Sequence, residues 1–198
     1  KKSEIYKRIK KKLNLKNLLH NKFSKYKFKI HYIDHHLSHI ASSFYPSKFK
    51  KSYALSVDGF GDFCSIVLAK CEDDEIKIIN RLYYPNSLGV FYEGFTQFLG
   101  FRNYGDEYKV MGLSSYGKPI YSDKISKEIF DDSIFPKLNL KYFNHQKKDF
   151  KYIFEGQPKQ NIILNDNIYN IFNKDEIKIN KNFNYVADLA SSIQKVYE

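Results

Sequence analysis

Apolar residues change their rhythm several times along this chain, and each change predicts an element. Over residues 4–27, Ile5, Ile9 and Leu13, then Leu15, Leu18 and Leu19, recur every three or four positions among lysines. That spacing predicts a basic helix or helix pair. Residues 28–33 (Phe-Lys-Ile-His-Tyr-Ile) alternate as a short strand would. Asp34 is placed to cap a helix that runs toward Phe44, and Tyr45-Pro46-Ser47 ends it. Three strand-like runs follow, at 52–57, 63–70 and 75–84. Asp58-Gly59-Phe60-Gly61-Asp62 is the expected first turn and Glu72-Asp73-Asp74 the second, so the three runs should form an antiparallel meander.

Residues 88–99 predict an aromatic helix with Phe91, Phe95, Phe98 and Leu99 on one side. Residues 100–119 read as loops around a short helix, punctuated by Gly105, Gly112, Gly117 and Pro119. Residues 120–180 are polar, aromatic and irregular, with Asn-rich turns and weak strands, and are expected to elaborate a core built elsewhere. A closing helix over 184–198 carries Val186, Leu189, Ala190, Ile193, Val196 and Tyr197 as its apolar stripe. The divisions are a basic lead-in (1–27), a central segment (28–119), an insertion-like region (120–183) and a final helix (184–198). Residue 1 is lysine, and the last helix reaches Glu198 without a capping glycine. The chain is therefore read as an internal piece of a longer protein.

With 198 residues, 42% of them hydrophobic, one sizeable core is within reach. No apolar run reaches the ~18 residues a membrane span needs. The charged opening Lys1-Lys2-Ser3-Glu4 is followed by no apolar core, so no signal peptide and a cytoplasmic location are expected. Cys64 and Cys71 lack a metal-type or disulfide-framework spacing and read as reduced thiols of the core. A net charge of +11 raises the possibility of nucleic-acid binding. Only Arg8, Arg81 and Arg102 are arginine, however, and the planar arginine fork is what base and phosphate recognition favours. The excess is read as a solvated lysine surface, and no nucleic-acid partner is expected.

The chemistry concentrates in Asp34-His35-His36-Leu37-Ser38-His39-Ile40-Ala41, which holds three of the chain's six histidines. On a helix, His35 and His39 are i,i+4 neighbours, and His36 and His39 are i,i+3 neighbours. Either pair can present two imidazoles to one ion, or the cluster can be a hydrogen-bonded structural one. His20, His31 and His145 stand apart and read as surface or packing residues. Asp58, at the end of an apolar strand, is a turn former, a metal ligand or an acid beside a phosphate, as is Asp62. Gly59 and Gly61 would let backbone amides approach a phosphate. In residues 105–119, Lys109 is either a point charge for an anion or a partner of Glu107.

Taken together, His35-His36-Leu37-Ser38-His39-Ile40-Ala41-Ser42-Ser43-Phe44, Asp58-Gly59-Phe60-Gly61, Tyr84-Pro85-Asn86-Ser87-Leu88-Gly89, Glu107-Tyr108-Lys109-Val110-Met111-Gly112-Leu113 and Tyr116-Gly117 resemble the NodU/CmcH-type carbamoyltransferases. The resemblance is dense over 31–119, returns at 186–198, and is loose elsewhere. It implies an α/β fold: part of an actin-like, ribonuclease-H-like (ASKHA) domain, with the antiparallel meander and its flanking helices at one edge of the sheet. The implied metal ligands are His35, His39 and Asp58, with Fe2+ as first choice. His36 becomes a residue behind the ligands or one that contacts substrate, at most a catalytic base for the acceptor hydroxyl. Lys109 and Gly112 are expected at the border of the substrate cleft, with Gly59 and Gly61 at its phosphate side.

The implied reaction carries a carbamoyl group from carbamoyl phosphate, through carbamoyl-adenylate made with ATP, to a hydroxyl of a sugar or secondary metabolite. A phosphate strand before Lys1, and a second phosphate segment, a fourth ligand and an adenylate-forming domain after Glu198, are also implied. The piece alone is thus expected to be inactive, its sheet lacking strands that would cover apolar faces. The alternatives are a tRNA threonylcarbamoyl-transferase-like or hydrogenase-maturation protein with the same metal domain, and a lysine-rich nucleic-acid-binding module without enzymatic activity.

Overall fold

The alternation over residues 51–83 closes into a three-stranded antiparallel sheet of order β1-β2-β3. The computed structural model that shows this describes residues 10, 14–147, 150, 152–155 and 157–198. Strand β1 is Lys51–Gly61, β2 is Cys64–Glu72 and β3 is Glu75–Tyr83. Leu55 stands opposite Leu68, and Val57 opposite Ile66. The fold is therefore mixed α/β and contains the expected antiparallel meander.

The first turn differs from expectation, and the difference matters for the site. Asp58 to Gly61 remain in β1, and Asp62 and Phe63 alone reverse the chain, at φ of 51° and 66°. The ladder runs to Val57–Ile66 and resumes at Gly61–Cys64, leaving residues 58–60 opposite Ser65 only. This is a bulge, and a bulge re-aims the side chains it carries. An Asp-Gly hairpin at 58–59 would have placed Asp58 at a solvent-facing tip; the bulge keeps it on the sheet.

Helix α2, His35–Phe44, lies on one face of this sheet. His36, Ile40 and Phe44 are its buried residues, spaced four apart so that they share one face. Ile40 and Phe44 pack with Cys64, Val67, Ala69 and Cys71. Burying two such side chains contributes roughly 1.5–3 kcal/mol each. Both cysteines are free and buried, as their spacing suggested.

A second core gathers four further helices among the described residues. They are α3 (Leu88–Phe98), α4 (Glu107–Ser114), α5 (Ser122–Ile129) and α6 (Phe183–Tyr197). Phe91 and Phe95 of α3 meet Val110 and Leu113 of α4 and the Val186, Leu189, Ala190 and Ile193 stripe of α6. Residues 120–183 supply more of this core than elaboration would. Ile125 and Ile129 of α5, with Phe143, Ile163, Ile168 and Phe172, are buried in it. Helix α5 is absent from the pattern-based expectation because only two apolar residues, four apart, mark it in a polar stretch. The weak strands of this region form one two-stranded hairpin, β4 (Tyr152–Glu155) and β5 (Gln157–Gln160).

The chain divides into two compact units, Lys1–Asp34 and His35–Glu198. In the first, α1 (Leu15–Lys22) has no buried residue, and His20 stacks on Phe28 with ring centroids 4.7 Å apart. Residues 28–33, expected as a strand, form no ladder among the described residues. Alternation decides which side chains share a face, but a strand also needs a neighbouring backbone to pair with. Ile5, Ile9 and Leu13 lie outside the described residues.

Gly117 fits α4 and α6 together: a Cβ there would fall on the Ala187 carbonyl and 2.5 Å from Asp188 N. Beside it, Lys118 N donates to Asp188 Oδ1 at 2.7 Å, and Tyr121 N to Ser192 Oγ at 3.0 Å. Gly117→Ala is expected to destabilise the protein by about 1–3 kcal/mol, the usual cost of overpacking. Urea unfolding of the variant beside the parent protein measures it.

Candidate metal centre

His36 organises the first turn of α2. Its imidazole is fully buried. Nε2 lies 3.0 Å from the Cys64 carbonyl on β2, an oxygen that can only accept, so Nε2 carries a proton. Nδ1 faces Ser56 Oγ on β1 at 2.8 Å. Both ring nitrogens are thus occupied by the sheet, and no acceptor hydroxyl can reach them. The expectation of His36 as a catalytic base is corrected here: the residue fastens the helix to the sheet.

Turning His36 inward turns His35 and His39 outward together. His35 Nε2 is 2.7 Å from Asp58 Oδ2 and 3.0 Å from His39 Nε2. His39 Nε2 is 3.8 Å from the same Asp58 oxygen. The three ligand atoms all lie within 4.8 Å of one another. The structure therefore brings together the i,i+4 pair and the bulge carboxylate, and sets His36 apart from them. The side chains are half-exposed, at 39% for His35, 55% for His39 and 37% for Asp58. Two imidazoles and a carboxylate, open on one side, can hold a divalent cation and leave room for a further ligand.

Asp58 is held as a carboxylate. Burial pushes its pKa up, but the His35 bond, the Gly59 amide and the two imidazoles outweigh burial and keep it below its ordinary 3.8. Gly59 N donates to Asp58 Oδ1 at 2.6 Å, which orients the carboxylate. From behind, Ser87 clamps the bulge. Its hydroxyl donates to the Gly59 carbonyl at 2.7 Å and accepts from Val90 N at 3.1 Å, capping α3. Gly89 lets α3 come this close, since a Cβ there would lie 2.9 Å from Gly59 Cα.

A cleft of about 610 Å3 opens beside Asp58 and Gly59. Gly105, Glu107 and Met111 bring the α4 segment to its edge. Lys109 and Gly112, expected at that border, are not among its lining residues: Lys109 Nζ is paired with Asp106 Oδ1 at 2.7 Å, and Gly112 faces open space. Glu93 of α3, which sequence reasoning missed, lines the cleft with Tyr92 and Gln194. Its signal was available, for Glu93 is the sole charged residue in α3. Burial, with the Glu107 charge adding to it, pushes its carboxyl up from 4.5 to about 7. His145, read as a packing residue, is buried and bonds the Pro85 carbonyl through Nε2 at 2.7 Å.

A carboxyl with a raised folded-state pKa binds its proton more tightly in the native protein than in the unfolded chain. Its contribution to stability is therefore lost as pH rises between about 4.5 and about 7. Glu93→Gln should remove that loss. The variant's melting temperature, compared with the parent's, is expected to gain from pH 5 to about 7 and to level off above it; an offset that stays constant from pH 5 to about 7 contradicts the assignment.

Comparison with known proteins places these features in a family. Residues 2–198 match the family described as Carbamoyltransferase N-terminus. An uncharacterised protein of Synechocystis sp. is 38% identical over 115 residues, covering 57% of this chain and 18% of its own length. The nodulation protein NolNO of Sinorhizobium fredii is 43% identical over 91 residues, 46% of this chain and 13% of its own. The nodulation protein NolO of Bradyrhizobium diazoefficiens is 40% identical over 87 residues, 44% of this chain and 16% of its own. In each case the chain matches less than a fifth of the relative. With the family match running over nearly its whole length, this chain belongs to the carbamoyltransferase N-terminus family.

Proposed function

We propose that this chain is the metal-holding part of an O-carbamoyltransferase, which moves a carbamoyl group from carbamoyl-adenylate to a hydroxyl of a sugar or other small molecule. The adenylate would be made from carbamoyl phosphate and ATP by another part of the protein. The observation that carries this reading is the convergence of His35 Nε2, His39 Nε2 and Asp58 Oδ2 in a member of this family. The meander with α2 on one face supports reading the sheet as part of an actin-like, ribonuclease-H-like domain.

The donor set fits a divalent ion of intermediate hardness, with Fe2+ first. When bound, the ion supplies a Lewis acid beside the carbamoyl carbonyl. The chain's own residues do the rest by position. His36 and Ser56 hold α2 so that the two imidazoles keep their spacing. Ser87 and Gly59 hold the Asp58 carboxylate toward them.

Asp58, Glu93 and Glu107 line the cleft, and neither lysine nor arginine is among its described lining residues. A phosphate-bearing donor entering there would meet carboxylates, an unfavourable approach unless a cation offsets them. That supports placing metal and donor in one site. The same carboxylates can accept hydrogen bonds from the hydroxyls of a ribose or an acceptor sugar.

His39 is the most exposed of the three ligands, so replacing it should leave the fold intact. In the intact protein, His39→Ala is expected to lower bound divalent metal at least tenfold and to abolish carbamoyl transfer, with the melting temperature little changed. Stoichiometric metal retained by purified His39→Ala would sink the reading.

A further inference from the structure

We propose that Gly61 is a positioning residue for His35, and that the β1–β2 turn from Gly61 to Cys64 is the socket that seats the ligand-bearing turn of α2. For its ligand, a metal ion, this rests on the reading above; the seating itself does not.

Three contacts from four consecutive residues meet the first turn of α2. A Cβ built on Gly61 would fall inside the His35 imidazole, overlapping Cδ2 and Cγ and lying 2.5 Å from Nε2. The place a side chain would take at 61 is therefore filled by the ring. Asp62 Oδ2 accepts from His35 N at 3.3 Å, meeting the first amide of the helix. The Cys64 carbonyl accepts from His36 Nε2 at 3.0 Å. Gly61 and Cys64 are also ladder partners, so the sheet itself ties the two sides of the socket together.

The turn carries a conformational cost that hairpin formation alone does not explain. Asp62 and Phe63 are both at positive φ, a region that disfavours a residue as bulky as phenylalanine. A two-residue turn of this kind prefers Asn-Gly or Asp-Gly. Here the glycine instead precedes the turn, under the imidazole. Gly61 is not at positive φ, so its lack of a side chain answers to the ring above it and not to its own backbone. Gly59 gives the contrast within the same segment: a Cβ there meets nothing within 4 Å. Of the two glycines expected to serve a phosphate, Gly61 is thus assigned to the histidine.

The test is a cycle in the intact protein: Gly61→Ala, His35→Ala and the double variant. Gly61→Ala should lower the melting temperature clearly when His35 is present and scarcely at all when it is alanine, because the clash then has no partner. Titration with Co2+ alone, followed by its visible d–d bands, gives the second readout. Gly61→Ala is expected to weaken Co2+ binding at least tenfold and to alter the bands. Equal losses of melting temperature in the two His35 backgrounds would overturn the proposal. If the parent protein binds no Co2+, the metal reading falls, and the stability cycle still decides the role of Gly61.

Discussion

Everything at the candidate metal centre depends on the buried imidazole of His36. It joins three backbones, taking the β1 hydroxyl of Ser56 on one nitrogen and giving a proton to the β2 carbonyl of Cys64 from the other. Leaving either partner unmade in the interior would cost roughly 1–3 kcal/mol, so the ring has one stable orientation. That orientation fixes the rotation of α2 about its own axis. Helical geometry then carries His35 and His39 to the side facing the bulge, one turn apart. A residue with no access to solvent thereby decides where the accessible ones point.

The bulge in β1 is the matching constraint from the sheet. Regular pairing through residues 58–60 would have sent alternate side chains to opposite faces at fixed intervals. Breaking the ladder between Val57 and Gly61 frees Asp58 to meet the helix. Ser87 then fastens the freed carbonyls to the cap of α3, and Gly89 lets that helix approach. Sheet irregularity, helix cap and two glycines act as a single device around one carboxylate.

Local electrostatics here oppose the global charge. The chain carries a net +11, yet the cleft beside the candidate ligands is lined by Asp58, Glu93 and Glu107. Identical chemical groups fare differently within it. Asp58 sits below its ordinary pKa because imidazoles and an amide favour its charge, while Glu93 sits above because burial and a neighbouring carboxylate oppose its charge. A surface rich in lysine therefore says little about what this cleft accepts.

Periodicity by itself determined the meander, the histidine helix and the two flanking helices α3 and α6, because each has a dense apolar stripe that one period explains. The residue words determined the family, and among the candidate ligands His35, His39 and Asp58 were legible as types of donor. Which histidine pair converges was open from spacing, since i,i+3 and i,i+4 neighbours are equally near on an isolated helix. Only the tertiary structure decided it, by burying His36. The same holds for Gly61, Glu93 and the true position of the first turn. Glycine leaves no pattern when a distant ring fills its place, a lone glutamate acquires its character from what packs around it, and a bulge depends on the partner strand. These are properties of contacts between residues far apart in the chain, and no local rhythm encodes them.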